Sequence, residues 1–96
     1  MRVTFNELAE RELNDGAQYY EQEESGLGES FIAEVGRWVA AIGEHPEAGP
    51  IVLGTVRRRF CQRFPYVLLY AVSGNELRVL AVMNLKRRPG YWVGRR

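Results

Sequence analysis

The sequence predicts an α+β domain of order β-α-α-β-β-β, in which a helical hairpin packs on one face of a mainly antiparallel four-stranded sheet. Three observations predict this fold. Apolar residues recur at helical spacing in the first half, they alternate or run continuously in the second half, and a glycine-containing turn joins the last two apolar runs. The chain has 96 residues and no repeat or low-complexity tract. We therefore expect a single domain over residues 1–96.

The first half of the chain predicts two amphipathic helices. Asn6 is a favourable N-cap, and the apolar stripe behind it consists of Ala9, Leu13, Ala17 and Tyr20. The stripe of the second helix consists of Leu27, Phe31, Val35, Trp38 and Ile42, widened by Ile32 and Val39. Pro46 ends it, because proline cannot continue a helix. A short link containing Gly26 and Gly28 makes the pair an antiparallel hairpin.

Four strands are predicted, at residues 2–5, 56–61, 67–72 and 77–84. The turn Ser73-Gly74-Asn75-Glu76 joins the last two, because glycine and asparagine accept positive φ. Residues 47–54 are interpreted as a connection and residues 85–96 as an irregular tail. Helices on one face leave the other face to solvent. Alternation over residues 56–61 then makes arginines available for that open face.

The net charge of +1 conceals a division between the two halves. Residues 1–50 carry three arginines against eleven acids, a balance of −8, whereas residues 51–96 carry ten basic groups against Glu76, a balance of +9. Such asymmetry predicts an anionic partner for the basic half. No apolar run approaches the ~18 residues of a membrane span, and no signal peptide is visible. We expect a cytoplasmic protein with no membrane partner.

Few residues suit catalysis or metal binding. His45 is the single histidine, at a predicted helix end, and Cys61 is the single cysteine. Arg59 and Arg63 beside Cys61 could lower the pKa of its thiol, but the absence of a second cysteine favours an idle thiol. The acids of the first helix, Glu12 among them, are interpreted as a solvated face. The sequence therefore predicts neither a metal nor a cofactor.

Basic residues interleaved with aromatic ones are the strongest candidates for function. Guanidinium groups pair with phosphates or carboxylates, and aromatic rings can stack on bases. The alternative is that these arginines only keep an exposed sheet face soluble. Trp92 and Tyr70 could equally belong to the core. The predicted target- or partner-binding residues are Arg57, Arg58, Arg59, Arg63, Lys86, Arg87, Arg88, Tyr91 and Trp92.

A set of short motifs along the chain resembles the RelE/ParE toxin superfamily. The motifs are Tyr19-Tyr20, Gly26-Leu27-Gly28 with Phe31, Arg57-Arg58, Arg63-Phe64-Pro65-Tyr66, Tyr70, Ala81-Val82 and Arg87-Arg88-Pro89-Gly90-Tyr91-Trp92. They extend over essentially the whole chain, from about residue 3 to residue 96. The resemblance implies the toxin of a type II toxin–antitoxin module, also described as a plasmid stabilisation protein. It further implies a cognate antitoxin and a hetero-oligomer with it.

The superfamily has two branches, and the sequence favours the ParE-like one. ParE-like toxins poison DNA gyrase, whereas RelE-like toxins cut messenger RNA in the ribosomal A site. In a nuclease, the resemblance would make Arg87, Tyr91 and Arg58 catalytic. However, Val67 stands where RelE-type nucleases carry an arginine, and Asn84 where many relatives carry a histidine. The alternatives are a ribosome-dependent endoribonuclease and a degenerate, non-toxic relative that keeps only antitoxin binding.

Overall fold

The computed structural model describes residues 1–96 as two helices packed on a five-stranded sheet. In chain order the elements are β1 (Arg2–Phe5), α1 (Glu7–Glu23), α2 (Leu27–Glu44), β2 (Ile51–Leu53), β3 (Val56–Phe60), β4 (Tyr66–Ser73) and β5 (Glu76–Asn84). The strands lie in the order β1-β5-β4-β3-β2, with β1 parallel to β5 and all other neighbours antiparallel. The predicted α+β class and helical hairpin are confirmed.

The predicted count of four strands is wrong, because β2 lies within the segment that was interpreted as a connection. β2 has three residues and pairs with β3 across a turn in which Gly54 has a φ of 58°. The register shifts between Ile51 and Leu53. Three irregularly paired residues are too few to show the period of two by which a strand is predicted.

Polar side chains fix the ends of both helices. The Asn6 side chain accepts hydrogen bonds from the main-chain amides of Leu8 and Ala9, at 2.8 and 3.4 Å, so the predicted N-cap of α1 is confirmed. The Glu21 carboxylate accepts bonds from the Gly26 and Gly28 amides at the start of α2, at 2.9 and 3.0 Å. A carboxylate at this position also favours the positive end of the helix dipole.

The larger core lies between the helices and the sheet. The α2 residues Phe31, Val35, Val39 and Ile42 are buried as the stripe predicts, whereas Ile32 lies outside it and is 44% exposed. Phe31 packs with Tyr20, Phe64 and Tyr66, at ring-centroid distances of 4.7 to 5.3 Å. Gly16 makes this packing possible, because a Cβ there would lie 2.8 Å from the Phe31 ring. Trp38 is only half-buried at the margin.

A β-bulge in β5 changes which side chains face the helices. Tyr70 pairs with Val79 and Leu69 pairs with Ala81, which leaves Leu80 without a partner in β4. Val79 belongs to the core under the helices, whereas Ala81 belongs to a second cluster on the opposite face. Strict alternation along residues 77–84 therefore assigns half of the strand to the wrong face.

The second cluster lies on the sheet face away from the helices. It contains the buried residues Val67, Leu69, Ala81 and Trp92, with Val52, Val56, Met83 and Tyr91 packed against them. The tail after β5 has no helix or strand, as predicted, but it folds as a series of turns back over this face. The face opposite the helices is thus largely apolar, and the prediction of a solvated basic face is wrong there.

Two of the strand arginines lie on the helix side of the sheet. Arg57 donates to the main-chain oxygens of Glu47 and Gly49, at 3.0 and 2.7 Å, and holds the loop before β2. The Arg59 guanidinium lies 4.5 Å from the centroid of the Trp38 ring on α2. Of the three consecutive arginines, only Arg58 reaches the open face. Neither helix is long and apolar enough to cross a membrane.

Candidate functional site

A groove of about 500 Å³ lies on the open face of the sheet, between the sheet and the tail. Val67, Leu69 and Met83 contribute its apolar lining from β4 and β5, and nine of its 13 lining residues are hydrophobic. On the tail side it is bounded by the segment from Arg87 to Val93, including the Trp92 ring. Ligand sites typically combine such an apolar lining with a few polar groups.

Two arginines are the polar groups of this groove. Arg58 lies 5.3 Å from the Phe60 ring centroid, and Arg87 lies 4.2 Å from the Tyr91 ring centroid. Both side chains are exposed. The molecule has three ion pairs, made by Arg2, Arg37 and Arg95, so no carboxylate neutralises either groove arginine. Two uncompensated guanidinium groups are therefore available to an anionic partner.

The tail is attached to α1 through the Glu12 carboxylate. Tyr91 donates its hydroxyl hydrogen to Oε2 of Glu12 at 2.5 Å. Arg95 donates to both Glu12 oxygens, at 2.9 and 3.1 Å, and to the Leu80 main-chain oxygen at 3.1 Å. The interpretation of Glu12 as a solvated surface acid is wrong, because only 16% of its side chain is exposed.

Glu12 also binds the edge of β5 beyond the point where its pairing with β1 ends. The β1–β5 ladder stops at the pair Phe5 and Val79, and beyond it β5 has a free edge. Oε1 of Glu12 accepts a hydrogen bond from the Val82 main-chain amide at this edge, at 3.0 Å. The carboxylate thus satisfies a strand amide that the shorter neighbouring strand does not reach.

Burial and this carboxylate shift the acidity of both tail side chains. Burial raises the pKa of the Tyr91 hydroxyl, and the hydrogen bond and negative charge of Glu12 raise that pKa further. Burial alone would lower the pKa of Arg95, but the hydrogen bond and charge of Glu12 outweigh it and leave that pKa raised. Tyr91 therefore keeps its proton near neutral pH and its hydroxyl is already engaged.

The other predicted binding residues are more dispersed. Arg63 precedes β4, where its main-chain amide donates to the buried Glu34 carboxylate at 2.9 Å and its guanidinium lies 5.4 Å from the Phe64 ring centroid. Lys86 lines a separate, more polar depression beside Tyr19, and Arg88 is exposed in the tail. The structure therefore brings Arg58, Arg87 and Trp92 together in the groove lining, with the Tyr91 ring against Arg87. The remaining predicted residues do not line the groove, namely Arg57, Arg59, Arg63, Lys86 and Arg88. Trp92 is only 7% exposed and acts mainly as a wall.

The two positions that differ from RelE-type nucleases do not supply substitute chemistry. Val67 is 2% exposed and forms part of the groove lining. The Asn84 side chain accepts a hydrogen bond from the Lys86 amide at 2.8 Å and lines the separate depression beside Tyr19. Asn84 and Arg87 thus face different depressions. An asparagine cannot exchange a proton near neutral pH, so neither of these two positions supplies a general base beside the groove arginines.

The two lone candidates for chemistry are isolated. His45 is an exposed residue at the C-cap of α2. Burial raises the pKa of the half-buried Cys61 thiol to about 11, and the nearby Glu34 charge adds to the rise, opposite to the lowering that its arginine neighbours suggest. No group of three or more His, Cys, Asp or Glu side chains is placed to hold a metal ion.

Sequence reasoning missed Glu12 and Arg95, which hold the tail against the sheet, and Glu34, which holds the loop before β4. Only a weak signal was present for Glu12. It follows Ala9 by three residues and adjoins Leu13, so it borders the apolar stripe of α1. A carboxylate at such a margin lies within reach of a sheet edge, but its partners are 70 to 83 residues away in sequence. No local pattern reports contacts at that separation.

Comparison with known proteins assigns the family. The model of the ParE toxin family of type II toxin–antitoxin systems (parDE) matches residues 3–89. The chain belongs to this family and is a toxin component of type II, as its resemblance to the RelE/ParE superfamily predicted. A solved structure of the chromosomal ParDE toxin–antitoxin system from P. aeruginosa shares the fold, with a TM-score of 0.62 and 18% identity. The match covers 88% of this chain and 95% of that one. The comparison with curated protein sequences gave no match.

Proposed function

We propose that this toxin acts by binding DNA gyrase through the open-face groove and that a cognate antitoxin neutralises it. The observation that carries the proposal is the pair of unpaired guanidinium groups, Arg58 and Arg87, beside an apolar lining. Such a surface suits a partner that offers both an apolar side chain and an anionic group. The membership in the ParE toxin family supports gyrase as that partner.

The chemistry of the groove favours binding over RNA cleavage. A ribonuclease needs a group that takes the proton of the 2′-hydroxyl, together with cations for the developing phosphate charge. Arg58 and Arg87 would supply the cations. A nuclease of this type would need Tyr91, but the Tyr91 hydroxyl donates its hydrogen to Glu12. The side chain at position 67 of the groove lining is an apolar valine. The general base is therefore the missing component.

The antitoxin is expected to be a small protein with an acidic, amphipathic segment. Its apolar residues would cover exposed side chains around the groove, such as Leu53, Phe60 and Val93, each at least half exposed. Its carboxylates would pair with Arg58 and Arg87, and the charge of the basic half would speed the encounter. The resulting complex is a hetero-oligomer in which the toxin's groove is occupied.

Induction of the chain in cells without the antitoxin separates the candidate functions. We expect DNA synthesis to fall before protein synthesis, and messages mapped by primer extension to stay uncut at codon positions. Cuts within codons of translated messages would establish the ribosome-dependent endoribonuclease instead. Normal growth at full expression would identify a degenerate relative that retains only antitoxin binding. For the variant Arg87→Ala, Arg11→Ala is the matched control, because Arg11 is exposed on α1 and does not line the groove.

A further inference from the structure

The Tyr91 ring carries two guanidinium groups at once. The Arg87 guanidinium carbon lies 4.2 Å from the ring centroid and the Arg95 carbon 4.8 Å from it. Each contact is a favourable cation–π interaction. Two positive charges on one ring also repel each other, and the Arg95 charge is costly to bury unpaired, because only 11% of its side chain is exposed. This arrangement requires a compensating negative charge nearby.

Glu12 supplies that charge and also fixes the ring. Its carboxylate accepts the Tyr91 hydroxyl hydrogen and forms a two-pronged pair with Arg95. The same carboxylate is held in place by the Val82 amide of the sheet. The position of the ring is therefore determined by α1 and β5 together, two rigid elements, although the ring itself belongs to a tail without regular structure.

The orientation of the Arg87 side chain depends on its contact with the Tyr91 ring. Arg87 is exposed, and its side chain makes neither an ion pair nor a hydrogen bond within the molecule. Its guanidinium is held by the Tyr91 ring alone. A long side chain with one packing contact loses less freedom on binding when that contact is already formed. Whatever holds the ring therefore orients the cation at the groove.

We infer that Glu12 is a positioning residue for the groove, which holds Arg87 in its binding geometry through the Tyr91 ring. Glu12 touches no bound partner in this account. It acts from the far side of the tail, by anchoring Tyr91 and by neutralising Arg95 so that Arg87 can share the ring. The inference rests on the proposed function only where it assigns Arg87 to target binding, because the positioning itself is a property of the free toxin.

Nuclear magnetic resonance of the free, full-length toxin tests the positioning directly. Protons above an aromatic ring are shifted upfield, so the side-chain Hδ resonances of Arg87 report its stacking on Tyr91. We expect Tyr91→Phe, which keeps the ring and removes only its bond to Glu12, to reduce this upfield displacement. Glu12→Gln, which keeps the size of the side chain and removes its charge, is expected to reduce it as well.

Two conservative substitutions elsewhere serve as controls. Tyr19→Phe removes the hydroxyl of a tyrosine that is 57% exposed, and Glu10→Gln removes the charge of an exposed acid on α1. Neither is expected to move the Arg87 resonances. An unchanged Arg87 displacement in Tyr91→Phe or in a folded Glu12→Gln would overturn the inference. If Glu12→Gln does not fold, Tyr91→Phe decides alone.

Inhibition of gyrase by the same variants separates this inference from the proposed function. If Glu12 acts through Arg87, Glu12→Gln weakens inhibition by the wild-type chain but adds no loss to Arg87→Ala. Equal additional loss in both backgrounds would contradict the inference. A wild-type chain that leaves gyrase unaffected, while Arg87 still loses its upfield shift in Tyr91→Phe, would refute the proposed function and leave the positioning intact.

Discussion

The ten basic residues of the second half divide into two kinds by their surroundings. Arg57 and Arg95 are consumed by the fold, since one holds a loop through two carbonyl oxygens and the other pairs with Glu12. Arg58 and Arg87 are exposed and unpaired beside the groove. The sequence shows which residues are basic, but it cannot predict which of them stay unpaired, because their partners are distant in sequence.

Two acids that the sequence predicts to be solvated are buried by partners distant in sequence. Glu12 and Glu34 lie on predicted helices among other acids, which is typical of solvated side chains. In the structure, Glu34 is 3% exposed and accepts hydrogen bonds from the Gln62 and Arg63 amides, each at 2.9 Å. The donors belong to the loop before β4. A helix pattern identifies which face is apolar but does not reveal which polar residue at its margin meets a distant main-chain amide.

Cys61 gives a prediction at the scale of one residue. Because burial raises the pKa of its thiol to about 11, the thiolate at pH 8 is only about one in a thousand of the folded molecules. We expect alkylation by iodoacetamide at pH 8 to be slow in the native protein and fast in urea. The rate should rise with pH up to a midpoint near 11. A midpoint below 9 would show that the flanking arginines dominate the acidity instead.

At the scale of elements, long periodic segments were predictable and short irregular ones were not. Both helices follow from stripes of four or more apolar residues at helical spacing, and β4 and β5 follow from apolar runs closed by a glycine turn. β2, with three residues, has no periodic signal. The β-bulge at Leu80 also has none, because it is set by the pairing of β5 with β4 and not by the residues of β5 alone.

The second helix gives a prediction at this scale. Phe31 is fully buried among three aromatic rings, so Phe31→Ala is expected to lower the free energy of unfolding by about 3–5 kcal/mol. Ile32→Ala, one position along the same helix, is the matched control and should change it by about 0.5 kcal/mol or less, because Ile32 is 44% exposed. Urea denaturation measures both. Equal losses would contradict the assigned helix face.

Trp38 belongs to the same apolar stripe but is less buried than the stripe predicts. The spacing predicts it as a core residue equal to Phe31, but the structure leaves it half-buried beneath the Arg59 guanidinium. Trp38 lies at the margin of the core, and the Arg59 side chain rather than the sheet covers part of its ring. Trp38→Ala is therefore expected to lower the free energy of unfolding by less than Phe31→Ala does.

The tail is the element for which sequence and structure differ most in consequence. Its composition correctly predicts an irregular segment, and its aromatic residues serve the fold. Trp92 closes the second cluster, and Tyr91 connects the tail to α1. The side-chain amide of Asn6 donates to the Arg96 main-chain oxygen at 2.8 Å, so the N-cap of α1 also holds the tail. A segment without helix or strand is thus fixed by side chains of α1 and of its N-cap.

In the whole molecule, few of the charges of the acidic and basic halves are neutralised by ion pairs. The halves balance at −8 and +9, but only three ion pairs form within the molecule, and one of them joins α1 to the tail. Most of the basic charge therefore remains for partners. Electrostatic steering by such a surface raises association rates and weakens as salt increases. Membership in the ParE toxin family supports an antitoxin as one such partner.

Supercoiling of relaxed plasmid DNA by purified gyrase, measured with increasing amounts of this toxin, tests whether the toxin acts on gyrase through the groove. We expect the wild-type chain and Arg11→Ala to inhibit supercoiling alike. Arg87→Ala should need at least about tenfold more toxin for the same inhibition, because it loses a charge-assisted contact while its fold is retained. Circular dichroism of each variant checks that fold. Undisturbed supercoiling by the wild-type chain, together with arrested translation, would contradict the account.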